Sequence, residues 1–389
     1  MFQRQLGGAS PKSGLACWQT SLAFLLSLGL LAGLAALPAS CVPWSSAAAT
    51  TPRELARQPR LFQFAAAASN LAAQQKEAHS PVDQKAASAD DDPQQMASFQ
   101  DLIQEEKFRE AEPLLQSYLA AHPGSWKAFY VLGYVQFRQR KIADSVKALA
   151  KSLELNVDHA AAHKLLGREF CIIGRTDVAM REFEEALRLE PDAADVHYNI
   201  ARIYAMEDDF PKARVELEKA IRIDPNYMEA YNALGFAMEA VGDDAAALQD
   251  YQTAIRLNEE RHGKYDPPYV NLSGYYNRRD RLDLALEYAH KALELNPESD
   301  LAYFQIAKTC RARGDWGGEA AALEKAISIR PAVQYYYVLG VAYRKLGKAK
   351  ESEQALETFQ RMQKQTADLD GQRREARRAQ RGLELRPNE

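Results

Sequence analysis

Two histidines one helical turn apart are the residues of this sequence that could do metal chemistry. His159 and His163 have the i, i+4 spacing that places two imidazole rings on one face of a helix, where they could share a metal ion. The sequence has no His-Glu-x-x-His, no Cys-x-x-Cys, no glycine-rich phosphate loop after a strand and no nucleophile elbow. We therefore predict that the protein is not an enzyme and uses no cofactor.

The composition is typical of a soluble globular or repeat protein. The 389 residues are 47% apolar and 26% charged, which is enough apolar material for a sizeable core. The formal net charge is only -4, so no global field would draw the chain to nucleic acid or to an anionic membrane. We predict no nucleic-acid partner and contact with a membrane only through the N-terminal segment.

A pattern with a period of 34 residues runs through most of the chain. A large aliphatic residue followed by a small residue recurs at this step in Leu132-Gly133, Leu166-Gly167, Ile200-Ala201 and Leu234-Gly235. This period, with small and aromatic residues at fixed offsets, resembles the tetratricopeptide repeat family. The resemblance covers residues 92–366 and implies an all-α, right-handed superhelical solenoid of about eight helix-turn-helix units. The predicted units start at Asp92, Trp126, Ala160, Ala194, Met228, Asp266, Asp300 and Val333.

The register assigns packing roles to small and large residues. Gly235 and its equivalents should lie where the two helices of one unit cross, because no large side chain fits at such an approach. We expect Phe183, Leu217 and Tyr251 to fill the space between units. Glycines in the turn between the two helices should adopt a left-handed conformation; these are Gly174, Gly242, Gly314 and Gly347.

The same register favours packing over metal binding for the histidine pair. His163 occupies the aromatic position of the repeat, and His197 occupies it one unit later. We therefore predict no metal site. Cys171 and Cys310 fall four repeats apart, far beyond the roughly 7 Å between Cα atoms that a disulfide allows. Both should remain thiols.

In the tetratricopeptide family the first helix of each unit lines the concave surface, chiefly through its second, fifth, sixth, ninth, twelfth and thirteenth residues. The resemblance therefore implies a groove that binds other proteins. Aromatic rings supply contact area and basic groups pair with carboxylates, so the predicted partners include acidic or extended peptide segments. The alternative is a solvated face without specific binding. The predicted groove residues are Tyr130, Tyr134, Arg138, Lys164, Arg168, Tyr198, Asn199, Arg202, Asn232, Phe236, Asn271, Lys308 and Arg311.

The ends of the chain predict an exported protein. Residues 1–44 have the layout of a signal peptide, with an apolar stretch from Leu22 to Leu37, and a cleaved signal is favoured over a single membrane anchor or a lipoprotein. Residues 45–91 are rich in Ala, Gln and Asp and predict a disordered linker. Residues 367–389 predict a charged C-terminal helix or tail, with solvation favoured over contact with anionic lipid or an acidic partner.

Together these features predict a non-catalytic scaffold in the periplasm or cell envelope, holding peptide segments of partner proteins in its groove during envelope assembly or trafficking. The alternative is a non-catalytic accessory subunit that recruits an envelope enzyme, such as a glycosyl transferase or a peptidoglycan hydrolase. The envelope role rests on family analogy alone.

Overall fold

The computed structural model describes residues 91–384, with side chains described up to residue 368, and all of them belong to one compact unit, Cys41–Glu389. The predicted segment 1–44 lies outside the described residues, and so does the predicted linker 45–91 except for its last residue, Asp91. Sixteen α-helices follow one another in the described part as eight antiparallel pairs. The first members, called A helices, are α1 (Pro93–Gln104), α3 (Trp126–Arg138), α5 (Ala160–Ile172), α7 (Ala194–Met206), α9 (Met228–Ala240), α11 (Pro267–Arg278), α13 (Asp300–Ala312) and α15 (Val333–Lys345). The second members, called B helices, are α2 (Phe108–Ala121), α4 (Ile142–Leu155), α6 (Thr176–Leu189), α8 (Phe210–Ile223), α10 (Asp244–Glu260), α12 (Leu282–Leu295), α14 (Trp316–Ile329) and α16 (Ala349–Glu384).

The predicted all-α architecture is confirmed across the described residues, which contain no strand. Each helix packs against the next one in the chain, and each A helix from α1 to α11 also contacts the A helix of the following unit. Buried apolar clusters succeed one another along the stack, from the cluster of Phe99 and Leu115 to the cluster of Leu323 and Tyr335. Stability therefore comes from neighbouring hairpins that cover each other's apolar sides.

The close approach of the two helices of one unit is confirmed at the predicted glycines. A Cβ atom on Gly235 would lie 2.7 Å from the ring of Tyr251, and one on Gly167 would lie 2.5 Å from the ring of Phe183. Both rings are completely buried. Each ring lies against the glycine of its own unit and also belongs to a buried cluster that extends into the next unit, with Val196 for Phe183 and Leu272 for Tyr251.

The four turn glycines are also confirmed in the left-handed conformation. Gly174, Gly242, Gly314 and Gly347 have φ between 75° and 86°, where a side chain would be strained. Other units make the same turn without glycine: Arg140 and Asp208 have φ of 62° and 59°. The turn geometry is therefore imposed by helix packing as well as by residue type.

The fifth unit, from Met228 to Tyr265, has 38 residues instead of 34, and the four extra residues lengthen its second helix and then form a short loop. Helix α10 has 17 residues where the four B helices before it have 14, and the loop that follows bends through His262 at a φ of 49°. The side-chain oxygen of the buried Asn258 accepts a hydrogen bond from the backbone of Tyr265 at 3.1 Å. The insertion is thus anchored to the helix it extends.

The last helix departs from the predicted boundary at residue 366. Helix α16 continues without interruption from Ala349 to Glu384, so the solenoid and the charged C-terminal segment share one helix of 36 residues. Cys171 is buried, and Cys310 is partly buried. Within residues 91–384, no helix is both long and apolar enough to cross a bilayer.

Candidate functional site: the A-helix groove

Three of the six basic residues predicted for the groove, Arg138, Lys164 and Arg311, are neutralised by a carboxylate. Arg138 donates to Glu106 at 2.9 Å, and Lys164 lies 2.7 Å from Glu190 and 3.2 Å from Asp195. These cations are already paired within the molecule, so a carboxylate on a partner would have to compete for them.

Arg311 also has an internal partner. Its Nε donates to Glu319 at 2.5 Å, and Glu319 is completely buried at the start of α14. Arg311 therefore ties the two helices of the seventh unit together, which is a structural role that the sequence did not indicate. Glu319 stands where other units carry the buried alanines Ala213, Ala247 and Ala285.

Three groove cations have no carboxylate within ion-pairing distance among the described side chains. Arg168, Arg202 and Lys308 each occupy the ninth position of their unit, and they are called the ninth-position cations below. Each guanidinium or ammonium group lies over an aromatic ring: Arg168 over Phe137 at 5.2 Å, Arg202 over Tyr198 at 5.7 Å and Lys308 over Phe304 at 4.7 Å. The rings support the cationic side chains from beneath without cancelling their charge.

Lys308 lies near a second positive charge, that of Arg278. Burial lowers the pKa of Lys308, and the nearby Arg278 lowers it further. No acidic group of the described part raises it in return. Arg278 itself donates to Glu239 at 2.6 Å. Lys308 is nevertheless exposed, and no carboxylate lies within ion-pairing distance of it among the described side chains.

The centre of the groove contains buried amides instead of exposed ones. Asn232 is fully buried, accepts a hydrogen bond from Asn271 at 2.8 Å and donates to the Tyr265 hydroxyl at 3.3 Å. Tyr198 and Asn199 are also buried, and Asn199 donates to the backbone of Asp195. Asn232 thus connects successive units and Asn199 bonds within its own helix, whereas Phe236 of the same region keeps 37% of its surface exposed.

The N-terminal end of the groove is aromatic. Arg138 donates to the Tyr134 hydroxyl at 2.9 Å, and the ring of Tyr130 packs edge-on against His159 at 4.6 Å. Burial, with a further contribution from His163, lowers the pKa of His159 to about 4, so the ring is neutral at physiological pH. His159 is held by aromatic packing here.

His163 is buried and lies against a carboxylate. Its Nδ1 lies 2.7 Å from Glu182, and its Nε2 lies 2.9 Å from the carbonyl oxygen of Val157. Burial alone would lower the pKa of His163, but the hydrogen bond and charge of Glu182, together with the Val157 carbonyl and Glu185, outweigh burial and the pKa is raised. His197 makes the same contact one unit later, 2.6 Å from Glu216. The repeat's aromatic position therefore holds a histidine–glutamate pair in two successive units.

A buried carboxyl group lies directly behind the ninth-position cation Arg168. Glu169 is completely buried and contacts the hydroxyl of Ser145, which also lies 2.6 Å from the carbonyl oxygen of Gly133. Ser145 has one hydroxyl proton, which can go to only one of these two oxygens, and a neutral carboxyl group can donate to the serine oxygen in return. Burial raises the pKa of Glu169 well above its ordinary value, and neither Ser145 nor Arg168 offsets that.

Replacing Glu169 with glutamine should remove a pH-dependent cost of folding. The folded-state pKa of Glu169 is raised. Its contribution to the stability of the folded protein is therefore complete below the unfolded-state pKa and is lost as the pH rises through the folded-state pKa. The wild type should lose about 1.4 kcal/mol per pH unit between those two values from this group, whereas the amide keeps the donor and does not titrate.

The test compares the urea denaturation of the wild type and Glu169→Gln between pH 4 and pH 8. We expect similar stability in acid and a more stable variant at pH 8. Ser145→Ala is the matched control, since it removes the acceptor and should lower stability at every pH. A difference between wild type and Glu169→Gln that does not change with pH would show that Glu169 is ionised in the folded protein.

The rings beneath two of the cations were missed by the sequence analysis. Phe137 is the twelfth residue of its unit and Phe304 the fifth of its unit, so both occupy positions that the family uses in the groove. Applying the register to every position would have found them. The pairing of Arg311 with Glu319 had no comparable signal, because it depends on how α13 and α14 cross.

Family models of the tetratricopeptide repeat match most of the described chain. The matches cover residues 102–169 and 174–235, 216–256, 275–333 and 333–366. The chain belongs to the tetratricopeptide repeat family, and it is a protein-binding superhelix of the kind this family forms.

Relatives with a stated role match only part of the chain. A photosystem I assembly protein, Ycf3 from Cyanophora paradoxa, is 30% identical over 110 residues, which are 28% of this chain and 62% of the relative. Ycf3 from Acaryochloris marina (strain MBIC 11017) is 31% identical over 98 residues, which are 25% of this chain and 57% of the relative. The chain thus spans less than two thirds of the length of these relatives.

Solved structures share the architecture. The Cut9–Hcn1 hetero-tetramer of the APC/C aligns with a TM-score of 0.55 at 17% identity, over 63% of this chain and 48% of that chain. A tetratricopeptide repeat protein from Parabacteroides merdae ATCC 43184 aligns with a TM-score of 0.55 at 15% identity, over 64% of this chain and 97% of that chain. At this identity the likeness concerns the fold alone.

Proposed function

We propose that this protein is a non-catalytic assembly scaffold that binds acidic segments of other proteins in its A-helix groove. The observation that carries the proposal is the set of ninth-position cations, Arg168, Arg202 and Lys308. Each presents a positive charge over an aromatic ring with no carboxylate in reach among the described side chains. A cation held in this way gains most from an anion supplied by a partner, since its own structure does not satisfy it.

An assembly role is supported by the two Ycf3 relatives, which are assembly proteins, although the match covers only about a quarter of this chain. We further propose that the scaffold acts outside the cytoplasm, in the periplasm or cell envelope. The signal-peptide layout of residues 1–44 supports this location. Protease protection of the protein in intact cells, lost when the outer envelope is opened, would test it.

Photo-crosslinking from Phe236 tests whether partners bind in the groove. Phe236 is exposed and occupies the ninth position of the unit that follows the unit of Arg202. Benzoylphenylalanine at this position should crosslink to partner proteins in cells. Combining Arg168→Glu with Arg202→Glu should reduce the crosslinked fraction by more than about tenfold, because like charges would face the acidic segment.

The matched control reverses the charge of two exposed arginines of helix α6, with Arg181→Glu and Arg188→Glu. These substitutions change the net charge by the same amount, but on a B helix. This control should crosslink as the wild type does. Equal loss in both variants, or unchanged crosslinking in the groove variant, would contradict binding at the ninth-position cations.

A further inference from the structure

We infer that the groove recognises an extended segment of a partner protein. This segment has acidic residues at about positions i, i+3 and i+12 and an apolar residue at about position i+6. This inference rests on the proposed function and specifies its ligand. It follows from the order in which charged and apolar side chains occupy one equivalent position along the stack.

The residue type at the ninth position varies systematically between units. It is basic in the third and fourth units, with Arg168 and Arg202, and basic again in the seventh, with Lys308. Between them it is Phe236 in the fifth unit and Gly274 in the sixth. The positive charge is therefore divided into a pair and a single group, separated by an apolar interval.

Other cations of the groove do not add positive charge to this interval. Arg278 of the sixth unit is bound to Glu239 at 2.6 Å, and Arg279 also contacts Glu239, at 3.2 Å. Glu239 accepts a further hydrogen bond from the hydroxyl of Tyr251. These groups satisfy one another, so an acidic residue of the ligand would find no cation opposite the fifth and sixth units.

The interval presents an apolar surface instead of a charge. Phe236 keeps 37% of its surface exposed and packs edge-on against Phe210 at 5.9 Å. Gly274 is buried and adds no charge, because the Gln305 amide and the Arg278 guanidinium fill the space beside it, 3.2 and 3.4 Å from where a Cβ would lie. An apolar side chain of the ligand can therefore rest on Phe236.

The spacing of the ligand residues follows from the helix packing. The A helices from α5 to α13 contact one another in sequence, and packed helices have axes about 8–10 Å apart. An extended chain advances about 3.3 Å per residue, so one unit corresponds to about three ligand residues. Arg168, Arg202, Phe236 and Lys308 then match ligand positions i, i+3, i+6 and i+12.

The probe is a fluorescein-labelled synthetic peptide of about fifteen residues with aspartate at i, i+3 and i+12, leucine at i+6 and glycine or serine elsewhere. A second peptide has the same composition with the three aspartates adjacent to one another. Fluorescence anisotropy with the full chain at low salt should show the spaced peptide binding about tenfold more tightly. Lys308→Glu should abolish this preference, and Lys325→Glu on helix α14 is the matched control that should retain it.

Equal affinity for the two peptides, or a preference that survives Lys308→Glu, overturns the inferred spacing. If both peptides still bind and both are lost in the Arg168→Glu, Arg202→Glu variant, the groove as a binding surface stands and only the spacing fails. Absence of binding by either peptide, with crosslinking from Phe236 intact, likewise overturns this ligand and leaves the proposed function standing. Loss of both would overturn the two together.

Discussion

Replacing Phe183 with alanine is expected to lower the free energy of unfolding by about 3–5 kcal/mol. The phenyl ring is completely buried and lies against the bare backbone of Gly167, where a Cβ atom would be only 2.5–2.8 Å from three ring atoms. Removing the ring leaves a cavity that the glycine cannot fill, and it also opens the cluster that contains Val196 and Ile200 of the next unit. Urea denaturation followed by far-ultraviolet circular dichroism measures the loss.

Leu114→Ala provides the matched control for the Phe183 substitution, because 52% of the Leu114 surface is exposed on helix α2. Its effect should stay within about 0.5 kcal/mol. A loss below about 1 kcal/mol in Phe183→Ala would mean that the two helices of the third unit collapse to close the cavity, which the tight contact with Gly167 argues against.

Replacing Gly235 with leucine is expected to cost about 1–3 kcal/mol through overpacking. Even the first added carbon would lie 2.7 Å from the ring of Tyr251 and 3.0 Å from the backbone oxygen of Ala247. A ring can turn aside but a backbone oxygen cannot move without shifting helix α10, so the cost cannot be relieved by a rotamer change alone. Thermal and urea denaturation would both show the loss.

Gly124→Ala is the control for Gly235→Leu, since no atom lies within 4 Å of a Cβ at Gly124. Its stability should match that of the wild type to within about 0.5 kcal/mol. Combining Gly235→Ala with Tyr251→Leu should cost less than the sum of the two single changes, because the smaller partner makes room for the methyl group. Strict additivity would contradict direct contact between the two positions.

The groove was only partly predictable. The sequence placed Arg168, Arg202 and Lys308 at equivalent positions, and the family register gave those positions a shared surface. It did not separate them from Lys164 and Arg311, which carry the same charge. Glu190 and Glu319 neutralise those two residues, and both pairings depend on the distance between side chains that the register alone does not give.

The sequence by itself determined the repeating architecture of this protein. A step of 34 residues with a small residue at each helix crossing leaves one way for successive hairpins to stack, and helices α3 and α5 begin at the predicted Trp126 and Ala160. Local spacing is enough for this result, because each unit meets only its neighbours.

Only the tertiary structure decided which groove residues can meet a partner. Asn232 is buried by Asn271, 39 residues away, and Arg138 is neutralised by Glu106, 32 residues away. Glu169 is buried next to Ser145, 24 residues away, and this burial raises its pKa. The physical reason is that burial and ion pairing act over a few ångströms between side chains from different helices, so they are fixed only when the helices have packed.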